Sequence, residues 1–551
     1  MKKITLVSLL LACLTLTSCR YIDFTSSSNS ETSNSGASAS HSGRTSTSAK
    51  PSGIVDSTYE NYVKNSVYYE SAIPTSTPTS KYLVLPVWFK DSSSLIKTGE
   101  TKESILANVT TAFSGTEEET GWHSVKTYYA AESDGKKNFD FVIADWYDCN
   151  YNSSYVAGDQ NDYTIANYTE KIINLAIDNY FEKSGADRKD FDSDGDGYLD
   201  AVATIYAIQN YNSGFDFEYY YYGGNNFGPR RGEVHSFSNL WAYVYWMQDP
   251  SQQNVNYPGP NAYLWASYDF ANVSSKNARG YPIKSDAHAY IHETGHLFGL
   301  DDYYDYTVTN NKPGGGFSMQ DNNVGGHDPF SILSLGWGEV IAPTETQTIT
   351  LKPFQDSKQV ILLSEEYKDS IFDEYLLLEL YTPTGLNQLD TEYCYQGTYP
   401  QGPNAAGIRL WHVDARLAYK YARGTDVPYS TSQITNKIDT QYYYNMLCRN
   451  NTYDPSKEDD YFSPLKDFEG NYKYYRLLEL IRCDDTARFY SREKENLAER
   501  DLFKAGDSFD MDTYTYRFVE RGKLNSGKTL GWSFTVDALS SESATITVTK
   551  L

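Results

Sequence analysis

Asp286-Ala287-His288-Ala289-Tyr290-Ile291-His292-Glu293-Thr294-Gly295-His296-Leu297-Phe298-Gly299-Leu300-Asp301-Asp302 is the stretch on which the reading of this chain turns. Side chains four residues apart on a helix lie one above the other, so the imidazoles of His292 and His296 can reach one metal ion. Glu293 follows the first of them and, on such a helix, addresses a water on the metal instead of the metal itself. A catalytic zinc site needs three protein ligands and an open position. Gly299 can end the helix in a left-handed conformation and turn the chain back under the metal, which brings a later carboxylate within reach. Asp302 is the favoured third ligand and Asp301 its competitor. His288 lies another four residues back, but three successive histidines along a helix spread over about 12 Å, too far for one zinc sphere. It is read as a packing or supporting histidine. His327, far along the chain, is assigned no catalytic role.

Outward from this helix, the N-terminal side alternates strands and helices. Lys81 to Phe89 has the apolar, β-branched and aromatic character of a strand, with Pro86 suggesting an edge or a bulge. Thr101 to Ala112 and Ile165 to Phe181 carry helical periodicity, and Ala201 to Ala207 reads as another strand. This predicts an α+β body over residues 54–342. Beyond it come short strand patterns at Thr346 to Leu351, Gln359 to Leu363, Glu374 to Leu380, Gly407 to Val413, Tyr475 to Ile481, Trp532 to Val536 and Ala544 to Val548. Turn residues separate them, so residues 343–551 are expected to form a β-rich, sandwich-like C-terminal region.

A second constellation lies at Asp192-Ser193-Asp194-Gly195-Asp196-Gly197-Tyr198-Leu199-Asp200. Carboxylates alternating with small residues can surround a hard cation with oxygens. Asp192, Asp194, Asp196 and Asp200 are the candidate side-chain ligands for Ca2+, with the carbonyl of Tyr198 between them. The twelfth position counted from Asp192 is Ala203, so the bidentate Glu of an EF-hand is missing and the expected role is structural. The bland alternative is an exposed acidic turn.

The first residues read as an export signal. Lys2 and Lys3 precede an apolar stretch from Ile4 to Leu16, too short for an ordinary spanning helix. It ends in Leu16-Thr17-Ser18-Cys19, which resembles the bacterial lipobox. On that resemblance residues 1–18 are a signal peptide and Cys19 is the lipid attachment site, leaving the protein anchored at the extracytoplasmic membrane face or cell surface; a plain signal peptide cut nearby is the alternative. Residues 19–53 are dominated by Ser, Thr, Ala and Gly and read as a tether, with a root-mean-square span on the order of 30 Å. A prosegment around Ile54 to Ser80 is an open reading without a diagnostic Cys or cleavage site. Export permits disulfides among Cys149, Cys394, Cys448 and Cys483, whose pairing the sequence does not give.

Composition narrows the field further. A chain of 551 residues exceeds one ordinary core, and its 40% hydrophobic and 15% aromatic content supports packed cores. A formal charge of -25 opposes attraction to phosphates, so nucleic acid is not an expected partner.

The residues around the two histidines resemble the immune inhibitor A family of secreted zinc metallopeptidases. The likeness covers the extended pattern His-Glu-x-x-His-x-x-Gly-x-x-Asp through Asp302, runs on into Tyr303-Tyr304-Asp305-Tyr306, and returns at Gly315 to Asp328 and Phe330 to Trp337. Weaker likenesses lie at Trp122 to Tyr129, Asp192 to Asp200, Leu240 to Trp246 and Leu410 to Asp414; Asp301 departs from the family, which often has Pro there. The resemblance implies a zincin-like catalytic domain and a Met-containing turn, with Met319 as a hydrophobic floor beneath the metal. It also implies a zinc endopeptidase acting on protein or peptide substrates with Glu293 as general base. The competing reading is a surface protein that keeps a metallopeptidase scaffold for binding protein or glycan. Retention of Glu293 argues against that reading, because binding alone needs no general base.

Overall fold

The computed structural model describes residues 58–66, 73–224, 236–247, 253–273, 280–306, 311–395, 399–421, 431–448, 451, 475–486, 492 and 494–551. Segments 1–18 and 19–53, Cys19 among them, lie outside the described residues. The chain is a mixed α and β protein with several sheets. Among the described residues no helix is long and apolar enough to cross a membrane.

The first sheet is built from β1 (Thr79–Trp88), β2 (Asn138–Ile143), β3 (Tyr147–Asp148), β4 (Ala201–Tyr206), β5 (Ala242–Trp246) and β6 (Ala262–Ser267). Its order is β2-β1-β4-β6-β5, with β3 also pairing with β1. All of these pairings are parallel except that of β5 with β6. β1 is therefore a central strand, and the edge position suggested by Pro86 does not hold. β2 pairs with β1 only up to Val84, and β3 begins at Val87. The carbonyls of Val84 and Trp88, two residues to either side of Pro86, accept from Ala144 and Cys149 on that flank. Alternation then points the missing N–H of Pro86 into the gap between β2 and β3, where no ladder bond is lost.

Alternate residues of β1 feed opposite cores. Tyr82 and Val84 join a cluster with α2 (Lys102–Ser114), α3 (Val125–Glu132) and α5 (His288–Leu297), through Ile105, Val109, Phe113, Tyr129, Tyr290 and Ile291. Leu83, Leu85 and Val87 join Ile172, Ile173, Ala176 and Ile177 of α4 (Tyr163–Ser184) on the other face. The sheet is thus covered on both sides, as parallel strands require. Local signals start the helices: Thr101 and Ser104 form a reciprocal capping box on α2, and Gly185 ends α4 in the left-handed region.

The second half contributes two facing sheets. One has the order β12-β11-β10-β9-β7, from Glu339–Ile341 (β7), Gln359–Leu363 (β9), Glu374–Tyr381 (β10), Gly407–Asp414 (β11) and Leu478–Ile481 (β12). The other has the order β8-β15-β14-β13, from Gln347–Leu351 (β8), Ser508–Phe509 (β13), Trp532–Leu539 (β14) and Ala544–Lys550 (β15). Leu376, Leu378 and Leu380 pack toward Phe534, Val536 and Ile546, whereas Tyr375, Leu377 and Tyr381 face the cluster that contains α5. That largest cluster draws residues from both sides of position 342.

Buried charges stitch these layers. His412 on β11 donates from Nδ1 to Glu479 and from Nε2 to Glu374, both at 2.9 Å, so one imidazolium bridges β10, β11 and β12. Glu132 on α3 accepts from Lys358 Nζ at 2.6 Å, and both residues are buried.

Candidate metal centre

Three ligand atoms converge at the C-terminal half of α5. His292, His296 and Asp302 form one buried group that could hold a metal ion. The imidazole Nε2 atoms lie 3.2 Å apart, and Asp302 Oδ1 stands 3.0 Å from that of His292 and 3.3 Å from that of His296. Asp302, not Asp301, completes the set. The turn that brings it there follows Gly299, whose φ of +92° is left-handed, with Leu300 N bonding back to Gly295 O at 3.1 Å.

The outer nitrogens are fixed by acceptors that cannot donate. His292 Nδ1 bonds to Met319 O and His296 Nδ1 to Leu300 O, each at 2.7 Å, so both Nδ1 atoms carry hydrogen. Neutral rings in that tautomer turn their Nε2 lone pairs inward, toward a buried carboxylate oxygen that has no hydrogen-bond partner. Three electron-rich atoms facing one another are a fit for a dication, and two nitrogens with one oxygen match zinc chemistry. Without an ion, charge moves between these groups. Burial alone would raise the Asp302 carboxyl, but the charge of His296, with His292 beside it, holds it well below the usual range. Burial alone would lower His296, yet Asp302 and Glu293 outweigh it and push it up to about 9.

Glu293 is buried on the same helix, one residue after His292. Met319 opens α6 (Met319–Asn322); it is fully buried, and its carbonyl serves His292. Gly295 lets α6 approach α5, because a Cβ there would meet Gln320 Oε1 at 2.3 Å. The loop around α6 is anchored by the second half of the chain. Arg409 donates to Phe317 O at 3.1 Å, Asp390 accepts from Gly325 N at 2.8 Å, Asn387 accepts from Gly326 N at 3.0 Å, and Leu480 N bonds to Pro313 O.

His288 stays out of the metal group. Its ring is stacked between Trp122 and Tyr395, each at 4.1 Å, and Nδ1 donates to Asp286 Oδ1 at 2.8 Å. His327 is likewise buried elsewhere, with Nδ1 3.2 Å from the Tyr128 hydroxyl.

In the acidic loop, Asp192, Asp194 and Asp200 each bring an oxygen within 4.8 Å of the others. Asp196 is not among them; its Oδ1 accepts from Tyr198 N at 2.9 Å. Tyr198 itself pairs with Gly259 in a short parallel ladder. Lys64 from α1 (Tyr59–Asn65) already touches the loop, with Nζ 2.6 Å from Asp194 Oδ2. Among the described residues no disulfide joins Cys149, Cys394, Cys448 or Cys483.

Sequence reasoning missed three supports of the metal group. Tyr304 and Tyr306 both donate to Asp302 Oδ2, the first at 2.9 Å. The α1 helix closes on the turn at Gly299, where the Tyr59 hydroxyl donates to Gly299 O at 2.8 Å and Val63 fills the space beside its Cα. The signal for the tyrosines was present in the run after Asp302, but spacing does not say which carboxylate oxygen they take. For α1 the local helix signals were there, with Thr58 as its cap, Glu60 in the first turn and Lys64 in the last, but none of them says which distant turn it closes on.

No protein-family model matches the chain, and no curated protein matches it either.

Proposed function

We propose that this protein is a zinc endopeptidase. The observation that carries the reading is the inward convergence of His292 Nε2, His296 Nε2 and Asp302 Oδ1 beside Glu293, with both Nδ1 atoms committed to carbonyls. His292, His296 and Asp302 would hold the ion. Bound there, zinc supplies Lewis acidity that lowers the pKa of a coordinated water and polarises a carbonyl. The remaining work falls to the chain. Glu293 takes the proton from the attacking water and returns it to the leaving nitrogen, while Met319 O and Leu300 O keep the imidazoles in the ligating tautomer. The choice of a peptide bond, and a zincin-like fold around it, rests on the resemblance of the extended motif to immune inhibitor A peptidases.

The same reading places structural Ca2+ at Asp192, Asp194 and Asp200, and lipidated Cys19 at the membrane. Metabolic lipid labelling that persists in Cys19→Ala would remove the anchor.

Zinc content, folded-state spectrum and cleavage of a denatured-protein library, measured on wild type, Glu293→Gln and His296→Ala, test the activity. Glu293→Gln should keep zinc and lose about 100-fold to 10,000-fold in rate, while His296→Ala should also lose metal. Wild-type cleavage by Glu293→Gln at equal zinc occupancy defeats the mechanism.

A further inference from the structure

We infer that Tyr304 and Tyr306 are positioning residues that restrict Asp302 to a one-oxygen grip on the metal and thereby set the coordination number and the preferred ion. The inference rests on the reading of His292, His296 and Asp302 as a zinc site.

An ionised carboxylate offers about four lone-pair sites, two on each oxygen. On Asp302 the two oxygens are divided. Oδ2 accepts the Tyr304 hydroxyl at 2.9 Å and the Tyr306 hydroxyl as well, which fills both of its sites. Oδ1 faces the two imidazoles at 3.0 and 3.3 Å and has no hydrogen-bond partner. Asp302 is 1% exposed, so solvent does not compete for either oxygen.

The two tyrosines brace each other. Their rings meet edge to face, 5.1 Å between centroids at 87°, so one hydroxyl cannot swing away without disturbing the other. Because they follow Asp302 at positions two and four, the same loop that delivers the ligand also delivers its restraint.

The chemical consequence is selection. A carboxylate free to rotate can bind through both oxygens, as large oxygen-seeking cations such as Ca2+ prefer. With Oδ2 saturated, the site presents two nitrogens and one oxygen, a set suited to four-coordinate zinc with one open position. Removing the hydroxyls alone, with the rings kept, should let a second oxygen approach the ion.

The test uses Co2+ as the probe, because its visible d–d bands are far stronger in four-coordinate than in five- or six-coordinate sites. The full-length protein is titrated with Co2+ and with Zn2+ for wild type, Tyr304→Phe, Tyr306→Phe, the double variant and Tyr303→Phe. The last is a control: the Tyr303 hydroxyl accepts from Ser331 Oγ at 3.3 Å and does not bond Asp302. Circular dichroism reports folding, and the single variants decide the matter if the double variant does not fold. We expect zinc affinity to fall about 10-fold to 100-fold and the Co2+ bands to weaken in the Asp302-linked variants, with the control unchanged. Folded single variants with wild-type bands and affinity overturn the inference, as does an equal change in Tyr303→Phe. A wild type that binds neither ion removes the metal reading itself, and this inference with it.

Discussion

Replacing Gly299 with Ala measures how firmly the end of α5 is built into the molecule. Two costs follow from its surroundings. At φ +92° an L-residue is strained, and a Cβ would lie 2.4 Å from Val63 Cγ2, inside any van der Waals contact. Left-handed backbone costs about 1–2 kcal/mol for a residue with a Cβ. An extra carbon in a packed interior costs about 1–3 kcal/mol. Gly299→Ala should therefore lose about 2–5 kcal/mol of stability if the two terms add. They separate in a cycle with Val63→Ala, which removes the obstructing methyls but leaves the backbone as it is. The double variant should recover the packing share, a coupling of about 1–3 kcal/mol. Urea unfolding of the four proteins, followed by tryptophan fluorescence, gives each difference from the midpoint and slope. A loss below about 1 kcal/mol in Gly299→Ala, or a coupling below about 0.5 kcal/mol, would refute the reasoning.

Other perturbations reach different parts of the structure. Burial alone would lower His412, but Glu374 and Glu479 outweigh it and push it up to about 10 from 6.5. Its contribution should be complete below pH 6.5 and vanish as pH rises through 10, so the stability gap between wild type and His412→Gln should narrow over that window; a gap independent of pH contradicts this. Glu132 is the opposite case: burial would raise it, but Lys358 and His327 hold it at about 2, below 4.5. Its contribution should be complete above pH 4.5 and fade as pH falls through 2, and Lys358→Met should cost about 3–5 kcal/mol near neutrality by leaving a buried charge unpaired. Calcium should raise the melting temperature of wild type and not of Asp194→Asn, as scanning calorimetry in chelator-buffered calcium can show; an equal response in both removes Asp194 from the site.

Much of this was legible in the sequence because it is local. Histidines four residues apart, a left-handed Gly and a carboxylate three further on occupy 11 residues, and the backbone geometry of one helix and one turn nearly places them. The strands at 359–363, 374–381 and 407–414 were legible because runs such as Tyr375-Leu376-Leu377-Leu378 supply both faces of a buried sheet at once. Pro86 misled because its missing N–H marks an interruption in pairing, and a gap between two neighbours satisfies that as well as an outer edge does. What stayed illegible was long-range. Lys64 meets Asp194 across 130 residues and Arg409 reaches Phe317 across 92, and no periodicity encodes which distant segment arrives. The acidic loop shows the same limit from another side, since four carboxylates in one short run look equivalent until the turn gathers Asp192, Asp194 and Asp200 and leaves Asp196 outside the group.

The anchoring of the loop around α6 also has a consequence in time. A polypeptide delivered N-terminus first presents His292, His296 and Asp302 well before Asn387, Asp390, Arg409 and Leu480 have emerged, yet those later residues hold the loop whose Met319 carbonyl orients His292. Contacts of such wide sequence separation form late, because the intervening chain must first be closed into a loop. During its own synthesis the protein thus carries the candidate metal ligands without the loop that orients them, and the group takes its geometry only once residues as far along as Leu480 have been made.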